Sequence, residues 1–537
     1  MNARQVRYKK TGKNAVKISF ERSRKHTALM QTIPGCKLHT SGYWTCPVTY
    51  KTVQKLYDNG FELDQALQMY LFNKPTDISI PAPKIKFRNK LELRKYQRQG
   101  VGFVDLMGGR ALIADDMGLG KTIQAIAYLQ HHPEIRPAII IVPGCVKYKW
   151  AREIIKWMTK SVRGKVQILE GRTPNKKIYG DIIIVNYDII HYWRKALYKY
   201  KFRITIMDEV QYIKEYGNKR TNACLNIGKK TRYLIGLSGT PIESRPMELY
   251  NFVNLAKPKL FKNRMEFGIK FCAGKHTGYE WDFKGASNTL VLNKILRENV
   301  MIRRLKKEVL KELPDITYSV VPFDITNRKE YDAAKKDTIA FLLETQGLHA
   351  AAAAERAETL TKLNLLKQLV AQGKIPQMTD YIQDLLLVKE KVVVACWHSV
   401  IINDLYKHFG SLALKIDGKV RNKDKIAQQF QTDPSKKICI INMKAGGVGL
   451  DLFVAEDIIV GEYPWNPSIM HQAIARVHRM GQKKKVTAHL AIALDTIEEK
   501  LIEILHQKQQ TLDQVLDGQQ TEEVEVIGEL IKYILNS

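Results

Sequence analysis

Short runs of apolar residues with almost no polar interruption recur along the chain. Ala111-Leu112-Ile113-Ala114, Ala138-Ile139-Ile140-Ile141-Val142, Ile182-Ile183-Ile184-Val185, Ile204-Thr205-Ile206-Met207 and Tyr233-Leu234-Ile235-Gly236-Leu237 fall in the first half. Val392-Val393-Val394-Ala395-Cys396 and Ile438-Cys439-Ile440-Ile441 fall in the second. A strand that is apolar at every position, rather than at every second one, is buried on both faces, as in a parallel sheet sandwiched between helices. Helix-like segments such as Ile123-Gln124-Ala125-Ile126-Ala127-Tyr128-Leu129 stand between these runs. The pattern predicts an α/β fold of doubly wound lobes. At 537 residues it predicts more than one lobe, because single cores stop growing at about 250–300 residues.

Chemistry gathers where these strands end. Asp115-Asp116-Met117-Gly118-Leu119-Gly120-Lys121-Thr122 lies between the first run and its helix. A strand, a glycine-bearing turn and a helix N-terminus present backbone N–H groups to a polyphosphate, with Lys121 as counter-charge and Thr122 as Mg²⁺ ligand. The strict pattern asks for glycine at 115, where Asp115 stands. The run ending Met207-Asp208-Glu209 delivers two adjacent carboxylates, Asp208 for Mg²⁺ and Glu209 for the attacking water. Upstream, Leu93-Arg94-Lys95-Tyr96-Gln97 holds an amide able to satisfy both the donor and the acceptor of an adenine edge. In the second half, Gly446-Gly447-Val448-Gly449-Leu450-Asp451 lets backbone approach a nucleotide. Arg476 and Arg479 are three apart, so on a helix they share one face, from which both could reach a γ-phosphate. Nucleotide contacts are thus expected at Arg94, Gln97, Asp116, Met117, Gly118, Leu119, Gly120, Lys121, Thr122, Gly449 and Asp451. Catalysis is expected at Lys121, Asp208, Glu209, Arg476 and Arg479.

Leu-Arg-x-Tyr-Gln, Asp-Asp-Met-Gly-Leu-Gly-Lys-Thr, Asp208-Glu209-Val210-Gln211, Leu237-Ser238-Gly239-Thr240-Pro241, the glycine segment and Gln472-Ala473-Ile474-Ala475-Arg476-Val477-His478-Arg479 occur in that order. The set, over residues 90 to 490, resembles the motor of Swi/Snf-type helicase-superfamily ATPases. The resemblance implies two tandem RecA-like lobes, ATP and Mg²⁺ in the cleft between them, and translocation along double-stranded or forked DNA. The box at Asp208 departs from the commoner Asp-Glu-Ala-His, which puts the coupling role of its fourth residue, Gln211, in doubt. Met301-Ile302-Arg303-Arg304-Leu305-Lys306-Lys307 reads either as the basic exit from lobe one or as a solvated cationic helix.

Residues 15 to 75 carry short strand and helix signals around Ile33-Pro34-Gly35-Cys36 and Tyr43-Trp44-Thr45-Cys46. They resemble the small HARP-like domain of annealing helicases. Trp44, among Lys37, His39 and Lys51, reads as a stacking face or as a core residue. The domain plan is a small α+β accessory DNA-binding unit at 1–80, lobe one at 86–312, a helical connector at 313–388 and lobe two at 389–537.

Lysine plus arginine (86) against aspartate plus glutamate (54) leaves +32, which points to a polyanionic partner. The basic start, free of acidic residues until Glu21, reads as a flexible phosphate-seeking arm, with a transit peptide as the alternative. The seven cysteines show no Cys-x-x-Cys pair and read as reduced packing residues. Without an apolar run of about 18 residues, no membrane partner is expected, and the location expected is intracellular: cytoplasm or nucleoid, or a eukaryotic nucleus. Two alternatives remain: an RNA-directed helicase, and a nucleotide-gated DNA-binding module without motor activity.

Overall fold

The computed structural model describes residues 2–7, 14–19, 24–48, 50–64, 67, 80–174, 177–278, 280–346, 353–420, 422–446 and 450–517. Two parallel sheets dominate it. The first runs, in spatial order, Met301–Ile302, Arg110–Ile113, Tyr233–Leu237, Ile204–Asp208, Ala138–Val142, Ile182–Asn186 and Val166–Ile168. Ala138–Val142, Ile182–Asn186 and Ile204–Asp208 are buried at every position, as their apolar sequence requires. Because all pairings in this sheet are parallel, the C-terminal ends of the strands share one edge. That edge carries the loops at 114–120, 208–211 and 238–241, the usual place for a ligand in such sheets.

The second sheet runs Ile316–Phe323, Val486–Ala493, Asp457–Val460, Val392–Cys396, Ile438–Asn442 and Ala413–Ile416, again all parallel. Its edge strand Ile316–Phe323 corrects the expectation of a wholly helical connector at 313–388. The strand alternates more and less exposed positions and pairs along its full length with Val486–Ala493, a half-covered edge that no apolar run announces. Helices at Arg328–Gln346, Ala353–Gly373 and Ile375–Val388 follow. The last described helix, Ile497–Asp517, leaves lobe two and packs on the lobe-one helix Thr289–Asn299, where Asn293 Nδ2 donates to Val515 O at 2.8 Å.

Among the described residues the N-terminal unit is a five-stranded sheet with two helices, an α+β unit. Asn2–Arg7 pairs antiparallel with Asn14–Ser19 and parallel with Glu62–Leu63. This corrects the reading of the basic start as a free arm: strand pairing satisfies its backbone. Trp44 is half-buried against the unit's core of Val16, Ile18, Met30 and Leu56, which favours the packing reading. Two cysteines also depart from expectation, since Cys36 and Cys46 form a disulfide. The antiparallel register that pairs Lys37 with Thr45 places Cys36 opposite Cys46. Cys224, Cys272, Cys396 and Cys439 are buried and form no disulfide, as packing residues. Among the described residues no helix is long and apolar enough to cross a membrane.

The basic stretch at 301–307 is not a solvated helix as a whole: only Lys306 and Lys307 enter one, the short Lys306–Val309. Met301–Ile302 is an edge strand of the first sheet, and the two arginines after it are largely buried. Arg303 Nη1 donates to Ala114 O at 3.0 Å and Gly239 O at 3.1 Å, while its guanidinium also pairs with Asp517 at the end of the last described helix.

Candidate nucleotide site between the lobes

The phosphate-type loop leaves the strand Arg110–Ile113 and enters the helix Lys121–His131. Gly118 and Gly120 sit at φ +84° and +76°, left-handed backbone that glycine adopts without steric cost. A Cβ at Gly120 would meet Gln97 Nε2 at 2.6 Å, so the loop is also packed too tightly for a side chain there. Asp115, where the strict pattern has glycine, is fully buried. It accepts from Arg304 Nε at 2.8 Å and Gln124 Nε2 at 2.9 Å. The departure therefore exchanges a flexible position for a buried anchor. Lys121 Nζ donates to the carbonyls of Asp115 at 2.8 Å and Asp116 at 3.2 Å, and burial pushes its pKa down against the pull of Glu209 and Asp115.

Asp208 ends its buried strand, and Glu209 takes φ +56°, a strained conformation for a side-chain-bearing residue of the kind concentrated at functional sites. Trp150 Nε1 donates to Asp208 Oδ2 at 2.7 Å. Burial and the neighbouring Glu209 raise the Asp208 carboxyl to about 7. Glu209 accepts from Gln211 Nε2 at 2.8 Å, and Gln211 accepts from Ser238 Oγ at 2.8 Å. Glutamine at the fourth position thus keeps a hydrogen-bonded link from the carboxylates to the next loop. That link reaches lobe two, because Gln472 Nε2 donates to Thr240 Oγ1 at 3.0 Å.

From lobe two, the helix Pro467–Ile474 stops before the arginines. Arg476 and Arg479 therefore do not share a helical face, which corrects that expectation. The backbone tightens into i→i−3 turns, Arg476 N to Ala473 O and Val477 N to Ile474 O, while Arg476 O accepts from Leu452 N. Both arginines nevertheless line one cavity of about 300 Å³ with Gly118, Gly120, Lys121, Thr122, Asp208, Glu209 and Asp451. Arg476 is buried, and burial together with Arg479 lowers its pKa to about 10. Arg479 pairs with Asp451 and donates to Leu450 O at 2.8 Å. Asp451 also faces Lys149 of lobe one at 3.5 Å.

Not every expected contact reaches this cavity. Gln97 is 4% exposed and its amide is engaged: its oxygen accepts from Arg94 N at 3.0 Å and its nitrogen donates to Leu119 O at 3.3 Å. The amide therefore positions the loop. Arg94 is exposed and paired with Glu312. Leu119 is buried with Tyr96 and Leu310. Asp116 lines a second inter-lobe cavity of about 580 Å³ with Lys306, His471 and His478, and Met117 lines both. Gly449 lies outside the described residues. Sequence reasoning missed Lys149, Glu153, Lys156 and Trp157, which line the smaller cavity, and gave Trp150 no role there. Their one signal is position, in the helix that follows the strand Ala138–Val142.

Comparison with known proteins agrees with this architecture. The SNF2-related domain matches residues 96–375, and the helicase conserved C-terminal domain matches residues 373–481. A SWI/SNF-related matrix-associated actin-dependent regulator of chromatin subfamily A-like protein 1 from Xenopus tropicalis is 31% identical over 462 residues, covering 82% of this chain and 47% of the relative. A DNA annealing helicase and endonuclease of Mus musculus is 32% identical over 457 residues, covering 81% of this chain and 41% of the relative. The chain spans half or less of the length of these relatives. The solved Sulfolobus solfataricus SWI2/SNF2 ATPase core in complex with double-stranded DNA is 25% identical, covers 82% of this chain and 96% of its own, and has a TM-score of 0.40. The SNF2-related match spans just over half of the 537 residues and takes in the loop at 115–122 and the carboxylates at 208–209, and on that ground the chain belongs to the SNF2-related family.

Proposed function

We propose that the chain is a DNA-dependent ATPase that moves along duplex or forked DNA and couples ATP hydrolysis to remodelling or reannealing of the strands. One observation carries the reading: a single inter-lobe cavity is lined by Lys121, Thr122, Asp208 and Glu209 from one lobe and by Arg476 and Arg479 from the other. In this role Lys121 binds the β- and γ-phosphates. Glu209 orients and deprotonates the attacking water, and the two arginines meet charge developing on the transferring phosphoryl group.

The Thr122 hydroxyl and the Asp208 carboxylate form an oxygen-only donor pair in the same cavity, which fits the hard cation Mg²⁺. When bound there, Mg²⁺ neutralises charge on the phosphate oxygens. Trp150 holds the Asp208 carboxylate in place. Gln211 and Ser238 carry the state of Glu209 to Thr240 and so to Gln472 of lobe two. We further assign DNA binding to the accessory unit at 1–80. Lobe one is taken as 86–312, and lobe two as extending back to the strand at Ile316–Phe323.

The named relatives include a DNA annealing helicase, and the +32 charge suits a polyanionic track. Retention of all five expected catalytic residues argues against a vestigial binding module. ATPase rates measured with no polymer, single-stranded DNA, blunt duplex, forked DNA and RNA test the reading. Stimulation by duplex or forked DNA is expected, and stimulation by RNA alone would overturn it.

A further inference from the structure

Past the two carboxylates, the chain of lobe one builds a row of planar groups on its surface. Tyr216 lies in the loop a few residues beyond Glu209 and is 67% exposed. The Arg264 guanidinium lies 5.1 Å from the Tyr216 ring centre and 5.9 Å from that of Phe283. Phe283 stacks on Trp281, with centres 6.0 Å apart and planes 12° apart, and His276 meets Trp281 edge-on at 5.5 Å. Trp281 and His276 face each other across a two-stranded hairpin, Lys275–His276 with Trp281–Asp282, and Trp281 is 37% exposed.

The row is fixed rather than incidental. Phe283 is seated on the backbone of the helix Arg264–Phe271, where a Cβ at Gly268 would meet its ring at 2.4 Å. Lys262, Lys275 and Lys284, close to these residues in the chain, are exposed. Of the acidic neighbours, Glu266 accepts from Lys262 N at 3.0 Å and Asp282 accepts from Lys284 N at 2.9 Å, while Glu215 and Glu280 are exposed. On the same helix Lys270 Nζ lies 4.5 Å from the Tyr57 ring centre of the N-terminal unit, so this surface runs from the exit of the carboxylate loop toward the accessory domain.

We propose that the row Tyr216–Arg264–Phe283–Trp281 is a stacking site for unpaired bases of a DNA single strand, occupied when the track is branched. Bases within a duplex have their π-faces covered by neighbouring pairs, so exposed aromatic faces select bases that have lost those neighbours. The exposed lysines meet the phosphates without reading sequence. The proposal rests on DNA being the track, and it adds a second, strand-selective contact outside the ATP cleft.

Binding of the full chain is to be measured by fluorescence anisotropy on a labelled forked DNA with a thymidine single-stranded arm, on the same fork with an abasic arm, and on a blunt duplex. DNA-stimulated ATPase is measured in parallel on the fork and the duplex. Trp281→Ala and Tyr216→Ala are each expected to weaken binding to the thymidine arm by about 5- to 100-fold. They should leave the abasic fork, the blunt duplex and duplex-stimulated ATPase within about twofold of wild type, and Trp281→Phe should retain most of the arm binding. Wild-type affinity of both alanine variants for the thymidine arm would overturn the proposal, as would equal loss on the blunt duplex or wild-type binding that does not distinguish abasic from thymidine arms. Absence of duplex-stimulated ATPase in the wild-type chain would instead sink the motor reading, while the anisotropy comparison would still decide on stacking. Tighter binding of an arm made of RNA than of the DNA arm would overturn the choice of ligand.

Discussion

Glu209 stands at φ +56° with its carboxylate tied to Gln211, and Lys121 points into its own loop carbonyls. In the proposed mechanism these two residues separate base catalysis from phosphate binding. Glu209→Gln keeps shape and hydrogen-bonding reach but cannot accept the water's proton, so steady-state ATP turnover should fall by about 10²–10⁴ while ATP affinity stays within a few-fold. Lys121→Ala should lose both, read by nucleotide titration beside the turnover assay. Near wild-type turnover in Glu209→Gln would remove Glu209 from the mechanism. A different residue contributes to the response of stability to pH. Lys367 is 4% exposed, its Nζ has no hydrogen-bond partner among the described residues, and it lies 4.2 Å from the Trp465 ring centre. Burial lowers its pKa to about 8 against the opposing pull of Glu462 and Glu498. Its folded value lies below the unfolded value near 10.5, so between those two pH values the unfolded chain holds more protons and this residue makes stability rise with pH. Below about 8 the cost of its buried charge is constant. Urea midpoints followed from about pH 7 to 10 should rise less steeply in Lys367→Met than in wild type, and parallel curves would show that Lys367 does not titrate in this window.

At the scale of elements, what was legible in the sequence was what a strand end declares locally. Unbroken apolar runs marked the central strands of both sheets; Asp208 and Glu209 stand directly after one of them and Lys121 after the loop that follows another, so order and spacing made them candidates. The half-exposed strand Ile316–Phe323 was not legible, because its pairing with Val486–Ala493 is non-local and its alternation is that of a sheet edge. Cys36 and Cys46 become partners only through the register of a short antiparallel pair. The contact of the Gln97 amide with the loop at Leu119 and Gly120 is likewise non-local and was not legible. The helix Ile497–Asp517 is of this non-local kind, and it carries a prediction. It ends by placing Asp517 on Arg303, both side chains 7% exposed, while Arg303 also holds the carbonyls of Ala114 and Gly239 behind the phosphate loop. Breaking a buried pair by removing one partner leaves an uncompensated charge and costs about 3–5 kcal/mol. Asp517→Ala should therefore lower the stability of lobe one by that order in chemical denaturation. The double change Arg303→Met with Asp517→Leu should recover a good part of it. If Asp517→Ala unfolds at the wild-type midpoint, this helix does not brace the loop.

At the scale of the whole molecule, the mechanism depends on groups from two lobes meeting across one cavity. Arg479 lies on lobe two and is paired with Asp451 of the same lobe, which in turn faces Lys149 of lobe one. Lys306 Nζ donates across the cleft to His478 O at 2.8 Å, so the arginine turn is docked on lobe one through backbone that no substitution at 479 removes. Changing Arg479 should therefore leave the lobes able to approach while deleting the charge that meets the phosphoryl group. Arginine fingers are worth about 10³–10⁵ in rate in related chemistry. Arg479→Ala is expected to bind ATP and DNA within a few-fold of wild type and to lose DNA-stimulated hydrolysis by orders of magnitude. Arg479→Lys should recover little, since an ammonium cannot reproduce the planar two-point contact of a guanidinium. Asp451→Asn separates this role from simple docking. It frees Arg479 from its partner without touching the guanidinium, so hydrolysis should persist at a substantial fraction of wild type, where loss of a purely structural ion pair would make the two variants alike. Equal, severe loss in Asp451→Asn and Arg479→Ala would mean that the pair itself, holding the turn together, is what the cleft requires. Wild-type hydrolysis in both Arg476→Ala and Arg479→Ala with DNA present would mean that the two lobes do not share the chemistry.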